Sequence, residues 1–159
     1  MAMQYDVKSK HISLSGVAVN TRTRLKGAII SADTTAAARN TVFSDNTPQL
    51  GTYSISTTTG TITITNTLTA GDRVWLDFTS GSGVDNVYAV VSANATAFTI
   101  TSPSLTTSGN VTMYPTILME ADSYNPVAYS ILIPGEGILA ETGIYVGLSA
   151  NVTATVFYG

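Results

Sequence analysis

The sequence predicts an all-β protein. Three observations predict it. Between Tyr53 and Thr101 large apolar residues alternate with Thr and Ser, as in Thr61-Ile62-Thr63-Ile64-Thr65 and Phe98-Thr99-Ile100-Thr101. Side chains on a strand point to opposite faces with a period of two, so each run has one core face and one wet face. Turn chemistry recurs at short intervals, and the polar, alanine-rich stretch 31–40 carries no apolar face at helical spacing.

The elements follow in order. Ile12 and Leu14, continued by Val17 and Val19, suggest an opening strand. Thr23, Leu25 and Gly27 lead into a strand through Ala28-Ile29-Ile30. Residues 31–40 are polar and alanine-rich and read as a loop before the strand Thr41-Val42-Phe43. A middle zone then runs from 48 to 112, bracketed by Ser44-Asp45-Asn46-Thr47-Pro48 and Ser108-Gly109-Asn110. Its strands fall near 52–56, 61–66, 73–79, 86–92, 97–101 and 110–114, with turns at Thr59-Gly60, Ala70-Gly71-Asp72 and Ser80-Gly81-Ser82-Gly83. That spacing suggests a small barrel or sandwich. After Met113 the chain returns to denser aliphatic strands at Ile117-Leu118-Met119, at Tyr129, Ile131 and Ile133, at Ile144, Val146 and Leu148, and at Ala154, Val156 and Tyr158.

Neither outer zone can close a core alone, but together they supply the strands of one sandwich. The expected architecture is therefore a discontinuous, jelly-roll-like β-sandwich from 1–47 and 113–159, with 48–112 inserted as a small β module. Insertions are tolerated at exposed loop tips.

Composition narrows the function. The chain has 159 residues, 44% apolar and only 11% charged, with net charge −3 and a pI of about 4.8. The charged share is less than half of the roughly 25% usual in globular proteins. Solubility then rests on hydroxyls and amides, or on surface buried against partners. Hydroxyls satisfy wet strand faces without repulsion between copies, a pattern of β-rich proteins in assemblies. A nucleic-acid partner would call for a concentrated basic footprint, so none is expected. The chain holds no cysteine, which removes disulfides and thiolate metal sites. The amino-terminal stretch does not read as a signal peptide, and no run nears the roughly 20 apolar residues of a membrane helix, so no membrane insertion is expected. The Asn-x-Thr triplets at Asn94, Asn110 and Asn151 read as chance in a Thr-rich chain.

Candidate chemistry is sparse. His11 is the single histidine, too few for a triad or a histidine metal site, and reads as structural. Asp72/Asp77 and Glu120/Asp122 could be imagined as glycosidase pairs, but solvated or paired surface carboxylates are the weightier reading. Thr79-Ser80-Gly81-Ser82-Gly83 precedes a strand rather than a helix, so it reads as a hairpin loop and not a phosphate cradle. No catalytic residue, metal or cofactor is expected, and the chain is read as not an enzyme.

Two groups remain as contact candidates. Arg22, Arg24 and Lys26 alternate and share one side of a strand. Either they form a positive stripe that docks on an acidic partner, or they are an ordinary wet face. Trp75 lies on the opposite parity to Val74, Leu76 and Phe78. It either caps a second cluster or, with Tyr88, is an exposed contact aromatic, since Tyr and Trp suit interfaces.

The outer zones resemble small structural proteins of tailed bacteriophages, especially marine podovirus-like phages. The carrying segments are Asp6-Val7-Lys8-Ser9-Lys10-His11, Arg22-Thr23-Arg24-Leu25-Lys26-Gly27 and Val42-Phe43-Ser44-Asp45. At the far end they are Ile133-Pro134-Gly135-Glu136-Gly137-Ile138-Leu139, Glu141-Thr142-Gly143-Ile144-Tyr145-Val146 and Val156-Phe157-Tyr158-Gly159. The middle zone separately resembles a β module of phage tail and fibre proteins, through Gly60 to Thr65, Ala70 to Gly81 and Asn94 to Ile100. The resemblance implies a virion protein. It is expected to act as a homo-oligomer, a cyclic trimer suiting such a position, with other capsid or tail proteins as partners. On the capsid exterior it would be a decoration or cement protein. On the tail it would help adsorb to the host, with Trp75 and Tyr88 against a surface glycan or receptor.

Overall fold

The computed structural model describes residues 7–33, 39–123 and 127–159. The expected loop over 31–40 lies partly outside them. The described residues are all-β, in fifteen strands: β1 (Lys8–Ile12), β2 (Gly16–Val19), β3 (Thr23–Ala32), β4 (Arg39–Asp45), β5 (Gln49–Ser56), β6 (Thr59–Thr63), β7 (Arg73–Asp77), β8 (Asn86–Asn94), β9 (Ala97–Thr101), β10 (Thr107–Tyr114), β11 (Ile117–Ser123), β12 (Ala128–Leu132), β13 (Ile138–Ala140), β14 (Ile144–Leu148) and β15 (Val152–Tyr158). The chain divides into two compact units, Met1–Thr47 with Leu118–Gly159, and Pro48–Ile117.

The first unit is a β-sandwich. One sheet has the order β1-β15-β3-β12, with β13 also on β3; the other has the order β11-β4-β14-β2. The pairings of β15 with β1 and β3, of β3 with β12 and β13, and of β14 with β2 and β4 are antiparallel. Leu25, Ala28 and Ile30 of β3 and Ala154 and Val156 of β15 meet Phe43, Ile144 and Val146 of the second sheet in one core. The opening strand expected over Ile12 to Val19 is two strands. The chain bends at Ser13-Leu14-Ser15, which carries it from the first sheet to the second. The Ser15 hydroxyl stabilises that bend by accepting from the Leu148 N–H at 2.9 Å. The turn from β14 to β15 changes sheets in the same way, and Asn151 takes φ +62° there. Asn tolerates that left-handed backbone better than most residues.

The second unit is a closed barrel of order β10-β5-β6-β9-β8-β7. Tyr53, Ile55, Ile62, Leu76, Phe98 and Ile100 are among the residues filling it. Alternation leaves Thr61 and Thr99 outside, and a register shift after Val90 turns Ser92 outward as well, so that Ser92 Oγ and Thr99 Oγ1 lie 2.7 Å apart. Two expectations shift here. The turn expected at Thr59-Gly60 lies at Thr57-Thr58, with Thr57 at φ +57°. Gly60 instead sits inside β6, where a Cβ would stand 2.8 Å from Ile100 Cγ1. The return to the sandwich, expected at Met113, comes later. Val111 and Met113 both fill the barrel core, so β10 stays in the barrel through Tyr114.

Candidate functional site

Arg24 and Lys26 both lie on β3, beside a register irregularity between Leu25 and Gly27, and both are engaged within the chain. Lys26 Nζ donates to the Glu136 carbonyl at 2.8 Å, and Arg24 Nη1 to the Gly137 carbonyl at 3.4 Å. Lys26 is buried. Arg22 precedes β3 and pairs with Glu141 at 2.8 Å, both side chains well exposed. Arg24 and Lys26 therefore clasp the Pro134-Gly135-Glu136-Gly137 turn to β3.

The two contact aromatics are corrected. Tyr88 shares the inward parity of Val90 on β8 and lies in the barrel core, only 7% exposed. Its hydroxyl donates to the Val84 carbonyl at 2.7 Å. Burial, and then the Asp85 charge, push its pKa up to about 12. Trp75 is on the outward parity of β7 and is also fully buried. The outward side of β7 is covered at Trp75 although Arg73 on the same parity is exposed and Asp77 half-buried, which the parity of one strand does not reveal. Neither ring is available to a glycan in this conformation.

The carboxylates hold local structure. Asp72 Oδ2 accepts from the Thr69 N–H at 2.8 Å and the Thr69 hydroxyl at 3.1 Å, fastening a turn. Glu120 and Asp122 both accept from Asn40 Nδ2, at 2.7 and 2.9 Å. Burial, followed by the neighbouring Asp77, raises the Asp85 carboxyl, although it accepts the Phe78 N–H. Among the described residues, no three His, Cys, Asp or Glu side chains come together as a metal site. His11 is exposed, with Nδ1 3.2 Å from Thr155 Oγ1. Asn94 Oδ1 caps the turn into β9 by accepting from Thr96 and Ala97.

Two features escaped the sequence. One is Asp45 at the end of β4. It accepts from the Glu141 N–H at 3.0 Å, the Thr142 N–H at 2.9 Å and the Thr142 hydroxyl at 2.6 Å. Burial alone would raise its carboxyl. The hydrogen bonds from Thr142, Glu141 and Asn46 together outweigh burial and hold it below the usual range. The other is an apolar groove of about 450 Å³ on the outer face of the first sheet. Gly27 forms its floor, with Val7, Ile29, Leu132 and Phe157 around it. Gly27 pairs with Phe157 on one side and Leu132 on the other. A Cβ there would come within 2.5 Å of the Ile131 carbonyl oxygen. A Gly among large apolar neighbours on the wet parity is the signal that could have found it.

No protein-family model matches the chain, and no curated protein matches it.

Proposed function

We propose that the chain is a non-enzymatic structural protein of a virion, present in many copies as a homo-oligomer. The first location is the capsid exterior, as a decoration or cement protein. The observation that carries the reading is the architecture: a closed barrel, hydroxyl-clad outside, is inserted between β4 and β11 of a separate sandwich. The sandwich serves to hold on and the barrel is the carried module. Many identical weak contacts then add up by multivalency. The resemblance of the outer zones to phage structural proteins supports the same reading. So does the use of the polar residues, since Asp45, Asp72, Arg24 and Lys26 hold loops in place.

The alternative reading is a tail or fibre component, supported by the resemblance of the barrel segment to tail and fibre modules. Host adsorption would then use the Thr-rich outer strands of the barrel, since Trp75 and Tyr88 are buried.

Mass spectrometry and electron microscopy of purified particles test the proposal. Copies distributed over the capsid support decoration. Density confined to the tail vertex supports the second reading, and absence of the protein from particles overturns both.

A further inference from the structure

The two edges of the first sheet are treated differently. β1 carries Lys8, Lys10 and His11, and Lys10 Nζ donates to the Val17 carbonyl at 3.0 Å. Charged edge residues, Lys above all, keep strands of other molecules from adding to a sheet. β12, at the opposite edge, reads Ala-Tyr-Ser-Ile-Leu and carries no charge, no Pro and no bulge. Among the described residues no strand lies on its far side. Leu132 is 84% exposed there, and with Ser130 it borders the apolar groove.

The hydrogen-bond phase of this edge is fixed. The Ile133 N–H donates to the Lys26 carbonyl, so Ile131 and Tyr129, at the same parity, also turn their backbone groups toward β3. Ala128, Ser130 and Leu132 therefore direct theirs outward.

We propose that β12 is a two-fold docking edge that pairs antiparallel with β12 of a second copy, the axis passing at Ser130. That register sets Ser130 opposite Ser130, and Ala128 opposite Leu132 of the second copy. All outward donors and acceptors of the strand are then matched, giving about six backbone hydrogen bonds. Side chains match as well. Leu132 meets the small Ala128, the two Ser130 hydroxyls meet, and Tyr129 faces Ile131, an aromatic and β-branched pair of the kind favoured across strands. The strand has no charge, so two copies meet without like-charge repulsion. The guarded β1 edge cannot compete, which selects a closed dimer over an open chain of sheets. The proposal deepens the homo-oligomer part of the function proposed above and is independent of location on a particle.

The test uses the full chain in solution. Wild type at about 100 μM should sediment near twice its 16.6 kDa monomer mass. Ser130→Pro removes an outward N–H and no bond to β3, which edge strands tolerate. It should raise the dimer dissociation constant at least about tenfold while the β circular dichroism is kept. Leu132→Lys, a second variant on the same edge, should do the same. Ser130→Cys in this cysteine-free chain should cross-link to a dimer on oxidation, because paired Cα atoms at about 5.5 Å suit a disulfide. Thr155→Cys, two strands in from that edge, should not. A monomeric or trimeric wild type overturns the proposal. So does a dimer indifferent to both edge variants, or a folded Ser130→Cys chain that does not cross-link. A dimer that is absent from particles leaves this pairing standing and defeats the virion reading instead.

Discussion

Asp45→Ala removes one buried carboxylate and leaves the N–H groups of Glu141 and Thr142 without their acceptor, while the Thr142 hydroxyl keeps the Asn46 carbonyl at 2.9 Å. Hydrogen bonds to a charged group are worth about 1.5–3 kcal/mol each, but bonds to one acceptor are not additive. Some donors regain water at the loop. An expected loss of about 3–5 kcal/mol follows, a large share of the roughly 5–15 kcal/mol of a typical domain. The pH dependence separates this cause from simple loss of packing. The folded Asp45 carboxyl lies below its usual value. Its contribution is therefore fully present above the unfolded pKa near about 3.9, and is lost as pH falls through the lower folded value. Urea unfolding of wild type and Asp45→Ala should differ by the full amount at neutral pH and by less below about pH 4. Asp45→Asn, which keeps one acceptor oxygen, should fall between them. A difference under about 0.5 kcal/mol, or one that does not shrink in acid, would refute the clamp.

Two further outcomes are expected. Tyr88→Phe should remove an alkaline sensitivity. The folded pKa of about 12 lies above the unfolded value of about 10, so wild-type stability holds below pH 10 and is lost as pH rises toward 12, by about 2–3 kcal/mol. Denaturation between pH 8 and 12 reads this, and equal slopes in both proteins would count against it. Lys26→Met should cost about 1–2 kcal/mol, because the part-buried Glu136 carbonyl loses its donor, whereas Arg22→Ser at the exposed pair should stay within about 0.5 kcal/mol. Urea midpoints showing the reverse order would place the function of the stripe outside the chain.

The barrel was the most legible part of the sequence. Ile62 and Ile64 against Thr61 and Thr63 mark the inward parity, and Phe98 with Ile100 repeats it. The same rule gives Tyr88 an inward place beside Val90, a consequence of period two alone. Gly60 misled because the residue that favours turns also permits a crowded strand pairing, and only the Ile100 contact distinguishes the two. Trp75 stayed open between core packing and contact because parity tells which residues share a face and not whether that face is covered; it is buried.

Arg22, Arg24 and Lys26 show the limit for polar groups. Their alternation was readable, but their partners lie more than a hundred residues away, at Glu141, Gly137 and Glu136. Asp45 and Thr142 are separated in the same way by the whole inserted barrel.

By itself the sequence determined the strand content, the inward face of barrel strands such as β6 and β9, and the near absence of charge, because these follow from local periodicity and composition. Only the tertiary structure decided which cations are internally bound, which aromatics are covered and which sheet edge is left unguarded. Those depend on pairing between segments distant in the chain, and strand order is not written in any one strand.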